Sequence, residues 1–282
     1  MPTEWLKQCA KRWFNLFGLE VCWKQQSGGP LGPRTSMAEV LQQAKRVGFA
    51  PGTVIDVGAA LGSFTRECHA VFPEAHYLLL EPLEEYRPLL EQLVRGISKA
   101  HCCIAAAASR SGTMEINVHP DLVGSSLYRE VEQCTDVNGI PRPVSVVALD
   151  SMVDERGAVG PYLMKLDVQG AELDVLRGAE RVLADCEFVV LEVSFFQFFH
   201  DGPECADVFA YMRGLGFVPY DIVGLQYRPL DQALSQADIA FVKEEGLFRR
   251  HHYYATPAQR AEQNARMKQH LSELFGDRAY DS

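Results

Sequence analysis

The sequence is poor in features that mark several large protein classes. No apolar run approaches the roughly 20 residues needed to cross a bilayer, which argues against a membrane-spanning helix. Lys7, Lys11 and Arg12 fall where a secretory leader would need an apolar stretch, so the expected location is cytoplasmic. None of the eight cysteines has a partner at Cys-x-x-Cys spacing, and Cys102 and Cys103 are adjacent. A zinc or dithiol motif is therefore not encoded, and most thiols are expected to be free and buried. Positive charge is scarce as well: 27 Lys and Arg against 37 Asp and Glu give a formal net charge of −10. That balance speaks against nucleic acid as a partner, because phosphate backbones are bound by clustered basic side chains. A small anionic ligand at one local site stays compatible with it. Internal repeats and low-complexity tracts are also missing.

What is present is enough hydrophobic material, 47% of 282 residues, for one large core with additions. Residues 3–17 read as a short helix, with Trp5, Leu6, Cys9, Trp13, Leu16 and Phe17 at helical spacing. Docking on the domain is the favoured reading, and a basic amphipathic contact with a membrane surface is the alternative. A Gly- and Pro-rich loop covers 25–34, and Ser36 is placed to cap a helix over 37–47 that closes at Gly48. These segments, residues 1–50, form an N-terminal extension to a main domain over 51–245.

Within that domain strands and helices alternate. Strands are expected at 53–57, 76–80 and 102–107, with helices at 63–72 and 84–94, a rhythm that implies parallel pairing with right-handed crossovers. An insertion over about 110–150 carries extended segments at 113–119 and 144–149 around a polar loop, 121–143. The rhythm resumes with strands at 163–166 and 188–193 and helices at 172–183 and 205–215. The last strands, 218–223 and 238–242, are bridged by 225–234 without a helical pattern, so an antiparallel hairpin-like final strand is expected. The fold class is thus α/β, a Rossmann-like doubly wound sheet in three α/β/α layers. A tail, 246–282, contains Arg249 to Tyr254 and a polar helix over 257–274. The Arg249–Tyr254 run could stack on a sugar, bind an anionic carrier, or serve as a solvated turn or dimer contact.

The chemistry is concentrated at strand ends. Asp56-x-Gly58-x-Ala60-x-Gly62 sits where the first strand turns into the first helix, a place where glycines let a ligand approach the backbone. The glycine spacing departs from the dinucleotide fingerprint, and an acid two residues before the first glycine would repel a pyrophosphate. S-adenosylmethionine (SAM) presents an ammonium, a carboxylate, a sulfonium and a ribose instead. Asp56 suits its amino-acid end, and Glu81, at the end of the second strand, suits bidentate hydrogen bonds to ribose hydroxyls. The candidate cofactor set is Asp56, Gly58, Ala59, Gly62, Ser63, Glu81, Pro82 and Asp167.

With these residues in place, the sequence resembles the FkbM family of class I SAM-dependent methyltransferases over about 36–243. The resemblance rests on Val54-Ile55-Asp56-Val57-Gly58-Ala59, Leu80-Glu81-Pro82, Gly124-Ser125-Ser126-Leu127, Val147-Ala148-Leu149-Asp150, Leu191-Glu192-Val193 and, most specifically, the run from Leu163 to Glu172. Ala60 stands where that family commonly has Asn, and Gln169 where it often has Glu, so neither is given a catalytic role. The resemblance implies a seven-stranded sheet with an antiparallel last strand. It also implies O-methylation of a hydroxyl on a sugar or natural product, with S-adenosylhomocysteine (SAH) as product.

Methyl transfer to an alcohol requires an aligned oxygen, exclusion of water and removal of a proton. Asp167, after the strand at 163–166, is expected to face the methyl group as base, substrate-orienting group or metal ligand; capping of the next helix is the competing role. Lys165, two residues earlier, points to the same face and suits an internal ion pair. Glu172 suits the positive end of the following helix. Glu192 lies in an apolar strand, where a carboxylate is costly unless paired or used. Asp167 and Glu192 together could hold Mg²⁺, which favours oxygen ligands. His200, after Phe195-Phe196-Gln197-Phe198-Phe199, is the histidine candidate for proton transfer. The expected partner is a small-molecule or glycan acceptor, with a homodimer as a further expectation. A SAM-binding regulatory or scaffold module without turnover, and N- or C-methylation on the same fold, are the alternatives.

Overall fold

A computed structural model describes residues 33–132 and 135–275. The expected helix at 3–17, Cys9, Cys22, Cys134 and most of the loop at 25–34 lie outside the described residues. Helix α1 (Met37–Arg46) begins where the Ser36 hydroxyl accepts the Glu39 N–H, and it buries Val40, Leu41 and Ala44 against the core. Strand β1 (Thr53–Val57) is buried along its whole length, as a short β-branched run flanked on both sides should be. It leads into α2 (Ser63–Val71), β2 (His76–Leu80), a 3₁₀ turn at Glu84–Tyr86, α3 (Arg87–Arg95) and β3 (Ala100–Cys103).

The chain then leaves the main sheet. Instead of one strand over 102–107, β3 stops at Cys103, and Ala106–Ala107 forms β4 of a second sheet. That sheet has the order β4-β6-β5, with β5 (Gly112–Val118) antiparallel to β6 (Ile140–Val147). Pairing of Val118 with Ile140 extends β6 into what the sequence suggested was polar loop, because cross-strand register rather than local composition sets the start of that strand. Between them lies a one-turn helix, α4 (Thr135–Asn138).

Helix α5 (Leu149–Arg156) follows, burying Leu149, Met152 and Val153. Next come β7 (Tyr162–Leu166), α6 (Glu172–Arg177), α7 (Glu180–Ala184) and β8 (Cys186–Ser194). The single helix expected over 172–183 is broken at Gly178, whose missing Cβ would overlap the Ala108 carbonyl. Asp150 restarts the chain as α7 by accepting the N–H groups of Arg181 and Val182 at 3.1 and 3.0 Å. Helix α8 (Cys205–Gly214), β9 (Phe217–Tyr227), β10 (Leu234–Lys243) and α9 (Pro257–Phe275) complete the described chain.

The main sheet has seven strands in the order β3-β2-β1-β7-β8-β10-β9, and β10 runs antiparallel to both neighbours. The fold is therefore α/β with the expected antiparallel last strand. Aromatic residues seal one face: Phe49 lies 6.2 Å from Phe188, and Phe248, after β10, sits 5.3 Å from Phe188. A second apolar cluster, including Met164, Leu176, Leu191 and Met212, fills the opposite face. Strand order reverses between β1 and β7, so the crevice beyond their carboxyl ends is where an open α/β sheet receives its ligand.

Candidate active site

Two turns meet at that crevice. The Asp167 N–H donates to the Val57 carbonyl at 3.0 Å, and a Cβ on Gly58 would overlap the Asp167 carbonyl oxygen. Gly58 has φ +76°, in the left-handed region, so both its conformation and its close neighbour require glycine. Gly58 and Ala59 donate their N–H groups to the Leu80 carbonyl, which ties this turn to the end of β2.

Glu81 follows directly. One carboxylate oxygen accepts the Ala60 N–H at 2.9 Å and the other the Leu83 N–H at 3.0 Å. Only 4% of the residue is exposed, and burial pushes its carboxyl up to about 7 despite those two donors. Glu81 forms part of a cleft that is partly open to solvent. Gly58, Pro82, Leu83 and Tyr86 line it from the β1 and β2 ends, and Asp167 and Gln169 from the β7 end. Ile116, Leu122, Ser126 and Leu127 cover it from the inserted sheet and its loop. The Ser126 hydroxyl donates to the Gln169 carbonyl at 2.6 Å, fastening that cover to the β7 turn.

The β7 end holds most of the buried charge. Lys165 Nζ lies 2.6 Å from Asp167 Oδ2, the internal ion pair that their alternation predicts. Burial opposes the ammonium, yet Asp167, Asp56 and Asp238 together hold its pKa above the ordinary lysine value. Asp56 points beneath α2, where it accepts the Thr65 hydroxyl at 2.6 Å, and burial raises its pKa. Glu192 receives three amide N–H groups: Gln169 at 2.7 Å, Gln236 at 2.9 Å and Gln226 at 3.0 Å. Burial and the charge of Asp167 push its carboxyl up to about 8, against the opposing pull of Lys165. Glu172 is buried and accepts the N–H groups of Val168 and Gly170, so it holds the turn before α6.

Of the candidate residues, Gly58, Glu81, Pro82 and Asp167 line the cleft. Asp56 and Ala59 are buried outside its lining, Gly62 caps α2 and Ser63 is the first residue of that helix. His200 is exposed and outside the lining; its backbone N–H donates to the Arg129 carbonyl. Phe199 packs against Gly170, while the Arg228 guanidinium lies 3.7 Å from the centre of the Phe196 ring. Sequence reasoning gave no site role to Ile116 or Leu122, since apolar residues on an insertion carry no chemical signature, nor to Tyr86, and it set Gln169 aside as a lost carboxylate. Ser126 was marked only through the family resemblance.

The expected Mg²⁺ finds no support in the donor set. Asp167 Oδ2 is taken by the Lys165 ammonium, and the Gln169 amide lies between Asp167 Oδ1 and Glu192 Oε2. Among the described residues no group of three or more His, Cys, Asp or Glu is arranged to hold a metal ion. No helix among them is long and apolar enough to cross a membrane.

Comparison with known families and structures gives a match of residues 56–219 to the Methyltransferase FkbM domain. No curated protein matches the chain. Similar solved structures include a methyltransferase FkbM from Methylobacillus flagellatus, at 16% identity and TM-score 0.44, covering 67% of this chain and 43% of that one. The chain thus spans less than half the length of that relative. Magnesium protoporphyrin IX methyltransferase from Synechocystis, solved with bound SAM, is similar at 11% identity and TM-score 0.41, covering 84% of this chain and 96% of that one. A Burkholderia thailandensis 1,6-didemethyltoxoflavin-N1-methyltransferase, solved with SAH, is similar at 11% identity and TM-score 0.41, covering 73% and 76%.

Proposed function

Because the chain belongs to the FkbM methyltransferase family, we propose that it moves a methyl group from SAM to a hydroxyl of a saccharide or another hydroxylated metabolite. The observation that carries this reading is the pairing of Glu81 and Asp167 across one cleft whose floor is the Gly58 turn. Glu81 would hold the ribose, the apolar residues from Leu83 to Leu127 would hold the adenine, and Gly58 would admit the chain between them. SAM supplies the electrophilic methyl group.

The protein's part is alignment and proton removal. Asp167, held in place by its ion pair with Lys165, accepts the acceptor's hydroxyl hydrogen bond and fixes the direction of attack. The hydroxyl proton passes to Asp167, which lines the cleft, while the Gln169 amide ties that carboxylate to Glu192 outside the lining. His200 receives no role, because it is exposed and outside the cleft lining.

Calorimetric titration with SAM, together with an SAH-release assay over hydroxylated, amine and carbon acceptors, tests the proposal. Turnover with hydroxylated acceptors, lost in Asp167→Ala while SAM affinity changes less than about threefold, is the expected result. Turnover only with amines or carbon nucleophiles would refute O-methylation. SAM binding without turnover on any acceptor would favour a regulatory module.

A further inference from the structure

We propose that the side-chain amide of Gln169 stands in this chain where a bridging metal ion would otherwise sit, joining Asp167 to Glu192 and closing the pair to divalent cations. Its Nε2 is 3.1 Å from Asp167 Oδ1 and 2.7 Å from Glu192 Oε2. An amide nitrogen carries two hydrogens, and here each meets a different carboxylate. The reverse orientation would set the amide oxygen against two acceptors, so the chemistry of the neighbours fixes which end faces them.

The backbone that presents this side chain is fixed in place. Gln169 adopts φ +51° in the tight turn after β7, and its backbone carbonyl accepts the Ser126 hydroxyl at 2.6 Å. The remaining contacts of the pair are also N–H donors: Lys165 on Asp167, and Gln226 and Gln236 on Glu192. A divalent cation needs oxygen lone pairs converging on one point, at about 2.0–2.1 Å for Mg²⁺. Hydrogens fill that point instead. The arrangement gives two neighbouring carboxylates a neutral bridge, and it makes Gln169 a positioning residue for both.

A side chain of the same length ending in a carboxylate would reverse this. Q169E would bring a third acid between Asp167 and Glu192 with Lys165 as the adjacent cation, and the excess negative charge would draw in a divalent ion. The inference stands on side-chain geometry alone. Metal uptake is read without turnover, so it can fail while methyl transfer holds, and the reverse.

The test is electron paramagnetic resonance titration of Mn²⁺ into the full chain, wild type and Q169E, with folding checked by circular dichroism. The wild type is expected to leave the free Mn²⁺ signal unchanged up to millimolar protein, and Q169E to bind one Mn²⁺ at least tenfold more tightly. Stoichiometric uptake by the wild type that is lost in Asp167→Ala would overturn the proposal. Failure of both proteins to bind would overturn it too, since the amide would then not be what excludes the ion. If Q169E does not fold, Q169A opens the same space without new charge: tighter Mn²⁺ binding than wild type supports the proposal, and equal binding refutes it.

Discussion

Glu81 offers the sharpest test of how the methyl donor is held, because its two jobs leave a measurable mark on pH dependence. Each carboxylate oxygen already accepts one backbone N–H, from Ala60 and from Leu83. A carboxylate has about four acceptor sites, so one remains on each oxygen, the match for a vicinal diol. Burial has pushed the carboxyl up to about 7, and hydrogen bonds from ribose hydroxyls favour the charged form. Below pH 7 the free protein therefore carries a proton that SAM binding must expel. Affinity should fall up to about tenfold, or about 1.4 kcal/mol, for each pH unit below that point, and level off above it. SAM is expected to bind about tenfold more weakly at pH 6 than at pH 8. Glu81→Gln removes the titration and should weaken binding at pH 8 at least about tenfold, since hydrogen bonds to a charged group are worth about 1.5–3 kcal/mol each. Titration of the ligand's own α-amine is common to both proteins and drops out of their comparison. Calorimetry at pH 6, 7 and 8 reads all of this. Parallel pH profiles for the two proteins, or undiminished affinity in Glu81→Gln at pH 8, would refute the ribose assignment.

Two further outcomes follow from the buried charges. Lys165→Met leaves Asp56, Asp167 and Asp238 without the cation they share, so urea denaturation should show a loss of about 3–5 kcal/mol. A loss below about 1 kcal/mol would mean that the charge is balanced elsewhere. Burial raises the Glu172 carboxyl to about 7, above its ordinary 4.5, so the folded state holds an extra proton between those values. Stability should therefore fall as pH rises through that window, by about 3 kcal/mol from this group. Glu172→Gln should reduce the fall of the urea midpoint between pH 5 and 7.5, and an unchanged slope would contradict the assignment.

Local rules revealed much of the frame. The limits of β1 and β2 follow from short β-branched and aliphatic runs, and the Ser36 cap and Gly48 stop bound α1 as expected. What stayed hidden depends on partners far along the chain. Nothing local at Ile104 and Ala105 says that the strand changes sheets there, and the early start of β6 is set by its pairing with β5. Asp56 illustrates the same limit within the site: its acidity was readable, but Thr65 on α2 decides where it points. Gln169 is the most instructive case. Read alone it is a lost carboxylate; between Asp167 and Glu192 it is a donor that both require.

The most direct measurement is a crystal structure of the protein with SAH. The account predicts the ribose hydroxyls on Glu81, the adenine among Leu83, Tyr86 and Ile116, and the sulfur directed toward Asp167. SAH bound away from the Gly58 turn, or with its ribose clear of Glu81, would contradict it.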